Sequence, residues 1–232
     1  EDPRIEISDI GYGYNHMRVK STGVGTSGKC NVDINCTEGN NWQSEKKSVV
    51  QINQKIGRSW YICTGSLVNN TAEDYTPYIL TAYHCSTGGG QSTSDSDYKL
   101  WQFTFNLEAT ECKGRVSAIS RSLVGCIKVA ESPLNGGSDG LLLRLDDEVP
   151  NDYNPYYNGW DRTNNAPQRG VSIHHPSADF KKISTFTETA THETYRDSQS
   201  TGKKEAFWNV YFVATENGHG ITEGGSSGSP LY

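Results

Sequence analysis

The chain has 232 residues, enough for one large or two small domains around a sizeable core. Its net charge of −6 argues against nucleic acid as a main partner, and no apolar run approaches the ~18 residues of a membrane-spanning helix. Its 24 glycines and single methionine fit a turn-rich, rigid protein, and six widely spaced cysteines without a C-x-x-C suit disulfides in an oxidising, extracellular setting better than zinc.

Residues 1–24 show no periodicity and read as an N-terminal tail or a pro-segment remnant. From Ser48 onward, short alternating or apolar runs lie between turn residues. They predict strands at Ser48–Ile52, Trp60–Thr64, Tyr78–Ala82, Leu100–Asn106, Arg115–Ile119, Leu123–Val129 and Gly140–Leu145. Trp101, Phe103 and Phe105 alternate with Gln102 and Thr104, the period of a half-buried strand. The polar run from Asp146 to Pro155 reads as a linker. Strands resume at Gly170–His174, Lys182–Phe186 and Phe207–Val213. No segment keeps a helical period over three turns. The expectation is therefore all-β, with a first barrel over 25–145, a linker over 146–155 and a second barrel over 156–232.

Three residue types stand out chemically. Ser227 lies in Gly224-Gly225-Ser226-Ser227-Gly228-Ser229-Pro230, where glycines permit a tight turn that exposes one side chain and aims backbone N–H groups. Alone, such a stretch is more often a flexible loop. His84 ends the apolar run Tyr78-Ile79-Leu80-Thr81-Ala82-Tyr83-His84-Cys85, so a strand would deliver it rigidly, as a general base requires. Asp139 heads the apolar run Gly140–Leu145 and is the carboxylate best placed to orient that base. Asp161, beside Arg162, is its rival, though it also reads as a structural carboxylate in a turn. His174 and His175, before Pro176, read as locking a strand-to-loop turn. As metal ligands they lack an acidic or cysteine partner at suggestive spacing, and no metal or cofactor is expected. A bridge between Cys63 and Cys85 would hold the strand of His84 and stabilise the fold by roughly 3 kcal/mol in the chain-entropy model.

The order His84, Asp139, Ser227 is that of chymotrypsin. Cys63-Thr64-Gly65-Ser66-Leu67-Val68-Asn69-Asn70, followed by Leu80-Thr81-Ala82-Tyr83-His84-Cys85, resembles the histidine region of trypsin-like peptidases. Gly159-Trp160-Asp161-Arg162, Ile173-His174-His175-Pro176, Lys182-Ile183-Ser184 and Thr222 to Pro230 resemble the secreted bacterial lysyl endopeptidase group within that fold, from about Gly25 to Tyr232. The resemblance implies a chymotrypsin-like double β-barrel and a secreted serine endopeptidase acting on protein or peptide substrates after lysine. It implies His84 as general base, Asp139 as its orienter and Ser227 as nucleophile. The backbone N–H groups of Gly225 and Ser227 would form the oxyanion hole, and the disulfides would be Cys63–Cys85 and Cys36–Cys112.

Several departures shape the expectation. Ser226 stands where many trypsin relatives carry an aspartate that pairs with a freed N-terminus. Gly140 replaces the usual aliphatic residue after the triad aspartate. Cys30 lacks its family partner, which leaves a Cys30–Cys126 bridge open. The chain ends five residues after Ser227, so the second barrel is expected to be incomplete unless a second, C-terminal chain completes it or residues 1–24 fill the gap. The alternative function is a catalytically silent protease-fold protein acting in binding. Lys20 and Lys29 are the candidate processing sites.

Overall fold

The computed structural model describes residues 24–232. Lys20, the other tail residues and any role of 1–23 in filling a barrel lie outside the described residues. The strands are β1 (Val32–Asp33), β2 (Val49–Ile56), β3 (Ser59–Val68), β4 (Tyr78–Ala82), β5 (Thr87–Gly88), β6 (Gln91–Ser92) and β7 (Gln102–Phe105). They continue with β8 (Arg121–Val124), β9 (Cys126–Ser132), β10 (Gly140–Leu145), β11 (Gly170–His174), β12 (Lys182–Phe186), β13 (Thr191–Glu193) and β14 (Phe207–Asn209). One short α-helical turn, Asp95–Tyr98, carries a capping box between Ser94 and Asp97.

Seven strands form one antiparallel sheet in the order β8-β7-β2-β3-β4-β10-β9. Alternate residues bury one face: Phe103 and Phe105 on β7, Val50 and Ile52 on β2, Leu141 and Leu143 on β10 are all inaccessible to solvent. The sheet's two edge strands, β8 and β9, are separated in the chain by Gly125 alone. The sheet therefore curls until its edges meet at that corner. Gly125 has φ +93°, and a Cβ there would lie 2.5 Å from an Asp146 carboxylate oxygen, so only glycine fits. The sequence pattern predicts one strand through Leu123–Val129; the structure breaks it at this residue.

A second sheet has the order β1-β12-β11. Val32, Ile34, Val49, Val171, Ile173 and Ile183 form its core with the Cys36 side chain. Val171 exchanges both backbone hydrogen bonds with Tyr232, at 3.0 and 2.8 Å. Residues 32–33, grouped by sequence with the first half, thus pair with a strand of the second. The expected strand at Arg115–Ile119 is absent. Its apolar residues Val116 and Ile119 are exposed, and a single bridge, Ala109 to Ser117, is all the pairing there. The expected strand at Phe207–Val213 is regular only over Phe207–Asn209. Disulfides join Cys36 to Cys112 and Cys63 to Cys85, while Cys30 and Cys126 are free thiols. A Cys30–Cys126 bridge is therefore not formed: Cys126 is buried in the first core, and its thiol points to the Tyr98 carbonyl at 3.6 Å.

Candidate active site

β4 ends at Ala82, and a 3-10 turn over Tyr83–Ser86 carries His84 out of the sheet. β10 runs antiparallel beside it with Gly140 opposite Ala82. That register sets Asp139, just before β10, against the first residues of the turn. Asp139 adopts φ +58°, a left-handed conformation that aspartate tolerates better than most residues. Its carbonyl accepts the Tyr83 N–H at 2.9 Å. Its carboxylate grips His84 twice: Oδ1 accepts the backbone N–H at 2.9 Å, and Oδ2 meets ring Nδ1 at 2.7 Å. A carboxylate in that position selects the tautomer with hydrogen on Nδ1 and a lone pair on Nε2. The His84 side chain is 44% exposed, whereas the Asp139 side chain is mostly covered. A Cβ on Gly140 would lie 4.0 Å from Ser132 Cβ and from Ser138 Oγ, ordinary contact, so this glycine is not demanded by crowding.

Ser227 sits in a turn closed by its own backbone. The Ser226 N–H donates to Glu223 O and the Ser229 N–H to Ser226 O, both at 3.0 Å. Gly225 and Gly228 have φ +98° and +82°. A Cβ on Gly225 would come within 2.7 Å of the His175 carbonyl, and one on Gly228 within 2.1 Å of Thr81 Oγ1. Both glycines are therefore demanded by conformation and by close approach. Thr64 on β3 docks this turn to the first sheet. Its N–H donates to Ser227 O at 2.8 Å, and its hydroxyl donates to Gly225 O at 2.8 Å while accepting the His175 N–H at 3.0 Å. The neighbouring Cys63 is bridged to Cys85, next to His84. Cys85 Sγ lies 3.8 Å from the Ser227 carbonyl. The histidine turn is thus fastened to Cys63 and the serine turn to Thr64, adjacent residues of β3.

Among the described residues, Cys63, His84 and Cys85 bring donor atoms within 4.8 Å of one another. The two sulfurs are bonded to each other and offer no thiolate, so the group is unsuited to a metal.

Behind the serine turn, His174 is fully buried between two hydroxyls. Nδ1 meets Ser226 Oγ at 2.8 Å and Nε2 meets Ser184 Oγ at 3.0 Å. His175, also buried, meets the Asp179 carbonyl through Nδ1 at 3.0 Å. Burial, reinforced by Lys182 for His174 and Lys181 for His175, depresses both imidazoles to about 3. They are neutral, structural histidines. Asp161 is exposed and bonds the Thr163 N–H at 2.7 Å, a carboxylate closing its own turn. Sequence reasoning missed Thr64, Asp179 and Glu223. Lys29 is exposed in a segment whose neighbours Gly28 and Asn31 both bond Glu223 Oε1, at 2.8 and 2.6 Å.

The curled sheet and its docked serine turn share their fold with trypsin-like serine proteases. A thermostable serine protease, AL20, from an extremophilic microorganism superposes with a TM-score of 0.53 at 13% identity, over 82% of this chain and 79% of that one. The active form of the Rv3671c protease from M. tuberculosis gives 0.52 at 13% identity, over 87% and 71%. At such identities the likeness speaks for the fold alone. Residues 24–232 match the family model of the lysyl endopeptidase C-terminal domain, and the chain belongs to that family. A lysyl endopeptidase of Pseudomonas aeruginosa is 29% identical over 247 aligned positions, 99% of this chain and 48% of that protein. The chain spans about half the length of this curated relative. No helix among the described residues is long and apolar enough to cross a membrane.

Proposed function

We propose that the chain is the catalytic part of a secreted serine endopeptidase, with His84 as general base, Asp139 as its orienter and Ser227 as nucleophile. The observation that carries this reading is the double grip of Asp139 on His84, which leaves Nε2 as the ring's basic nitrogen. In the reaction, Ser227 Oγ adds to the scissile carbonyl carbon while its proton passes to His84 Nε2. The N–H groups of Gly225 and Ser227 receive the oxyanion. The C–N bond then breaks, and the proton goes from Nε2 to the leaving amine. Water, deprotonated by the same nitrogen, adds to the acyl carbon; the ester bond to Ser227 Oγ then breaks, Oγ takes the proton back from Nε2, and the acid leaves. Preference for lysine before the cleaved bond, and export, are supported by family membership and by the two disulfides.

A fluorophosphonate probe tests this directly. It should modify Ser227 alone, and Ser227→Ala and His84→Ala should not react. Peptide substrates differing only in lysine or arginine before the cleaved bond then read the preference. Folded native protein that takes no label would make it a silent member of the fold.

A further inference from the structure

The serine turn is held from a second side, by chain far from it in sequence. The turn Pro176–Ala178 packs directly on Gly225, with the His175 carbonyl and the Ser177 and Ala178 N–H groups facing its α-carbon. Ser177 and Ala178 have φ +52° and +62°, two consecutive non-glycine residues in the left-handed region. Such a pair persists only where its surroundings over-determine it. The Ser177 N–H donates to the Gly224 carbonyl at 2.6 Å, and its hydroxyl to Glu223 Oε2 at 2.5 Å.

The other side of this turn receives residues 25–31. Asp179 is 2% exposed. Its Oδ1 accepts the Gly25 N–H at 2.5 Å and the Phe180 N–H at 2.7 Å. Its Oδ2 accepts the Ser27 N–H at 3.2 Å and the Ser27 hydroxyl at 2.5 Å, with Lys182 Nζ at 3.6 Å. Thr26 Oγ1 donates to the Ser177 carbonyl at 2.9 Å. Glu223 Oε1 accepts from Gly28 and Asn31. Burial alone would raise the Asp179 carboxyl; the Ser27 and Gly25 bonds and the Lys182 charge outweigh it and hold the group low. The carboxylate is ionised and spent on this segment.

We propose that Asp179 and Glu223 are positioning residues: by clamping residues 25–31, they fix the strained Pro176–Ala178 turn and, through it, the backbone of Gly225 and Ser227. This rests on the reading of Ser227 as nucleophile and Gly225 as oxyanion donor. The occupant of the clamp is this chain itself. The seating of residues 25–31 thereby controls whether the oxyanion donors point at the reacting carbonyl. Ser226, where many trypsin relatives carry an aspartate, is instead bonded to neutral His174.

Hydrogen exchange together with steady-state kinetics, on native protein, Asp179→Asn and the milder Ser27→Ala, tests the clamp. Amides 222–229 should exchange faster in both variants while those of β4 and β10 keep native rates. kcat should fall by about tenfold in Asp179→Asn, the scale of losing hydrogen bonds to a charged group, with KM within about twofold. Unchanged exchange at 222–229, or a rise spread evenly over the fold, would overturn the proposal. If Asp179→Asn does not fold, Ser27→Ala decides by the same readings. Faster exchange confined to 222–229 in a protein whose Ser227 never labels would leave the clamp standing and remove the nucleophile reading.

Discussion

Thr64 bonds Ser227 through its main chain and Gly225 through its side chain, although more than 160 residues separate them. Its hydroxyl also receives the His175 N–H, so one buried oxygen joins β3 to both turns that frame the serine. Thr64→Val keeps the shape and removes that oxygen. It should leave the His175 N–H and the Gly225 carbonyl without partners, at a cost of about 1–3 kcal/mol each. Urea unfolding should show the loss, and fluorophosphonate labelling of the remaining folded protein should slow.

Asp139→Asn tests the orienting role. The amide can still touch His84, but it no longer demands hydrogen on Nδ1. Peptidase turnover should fall by about four orders of magnitude, the scale seen when this group is neutralised in the serine-protease template. The melting temperature should change little, because the Tyr83 N–H keeps its main-chain acceptor and the amide oxygen can still accept the His84 N–H. A variant retaining native turnover would place the orienting role elsewhere.

The buried pair His174 and His175 predicts acid sensitivity. Their folded values, about 3, lie below the ordinary 6.5. Their contribution is complete above pH 6.5. It is lost as pH falls toward 3, because only the unfolded chain takes up the protons. Between pH 6.5 and 5, where ordinary carboxylates stay ionised, the two together should remove at most about 3 kcal/mol. Urea midpoints across this window measure it. His174→Gln should remove about half the slope, and an unchanged slope would contradict the buried, neutral state.

Gly228→Ala should be poorly tolerated. The new methyl would meet Thr81 Oγ1 at 2.1 Å and the Thr64 carbonyl at 2.3 Å, on a backbone already in the left-handed region. Strain of this kind costs about 1–3 kcal/mol before the clash is counted. Thermal unfolding and labelling at Ser227 should fall together, because the same residue shapes the turn and seats it on β3.

Local patterns carried much of this in the sequence. The apolar run into His84 and the apolar run Gly140–Leu145 mark two strands whose pairing delivers His84 and Asp139 to one place. The flanking glycines mark the serine turn. Other features resist such reading for physical reasons. Val116 and Ile119 have apolar side chains but no partner strand, so composition there overstates structure. Leu123 to Val129 reads as continuous because the break depends on one backbone angle, at Gly125. Thr64, Asp179 and Glu223 act through contacts over roughly 45 to 195 residues of chain, and no periodicity records such distances.

The sheet that curls on Gly125 is made wholly from residues 49–145. During vectorial synthesis it can close on itself before any of the second half has left the ribosome. β1 has no such freedom, since among the described residues its only strand partner is β12. A stretch that emerges ahead of the sheet must therefore wait for chain made long afterwards. A nascent protein would pass through a stage in which one half is built and the segment that seats the serine turn is still unattached, and any protease or chaperone acting then would meet that segment unguarded.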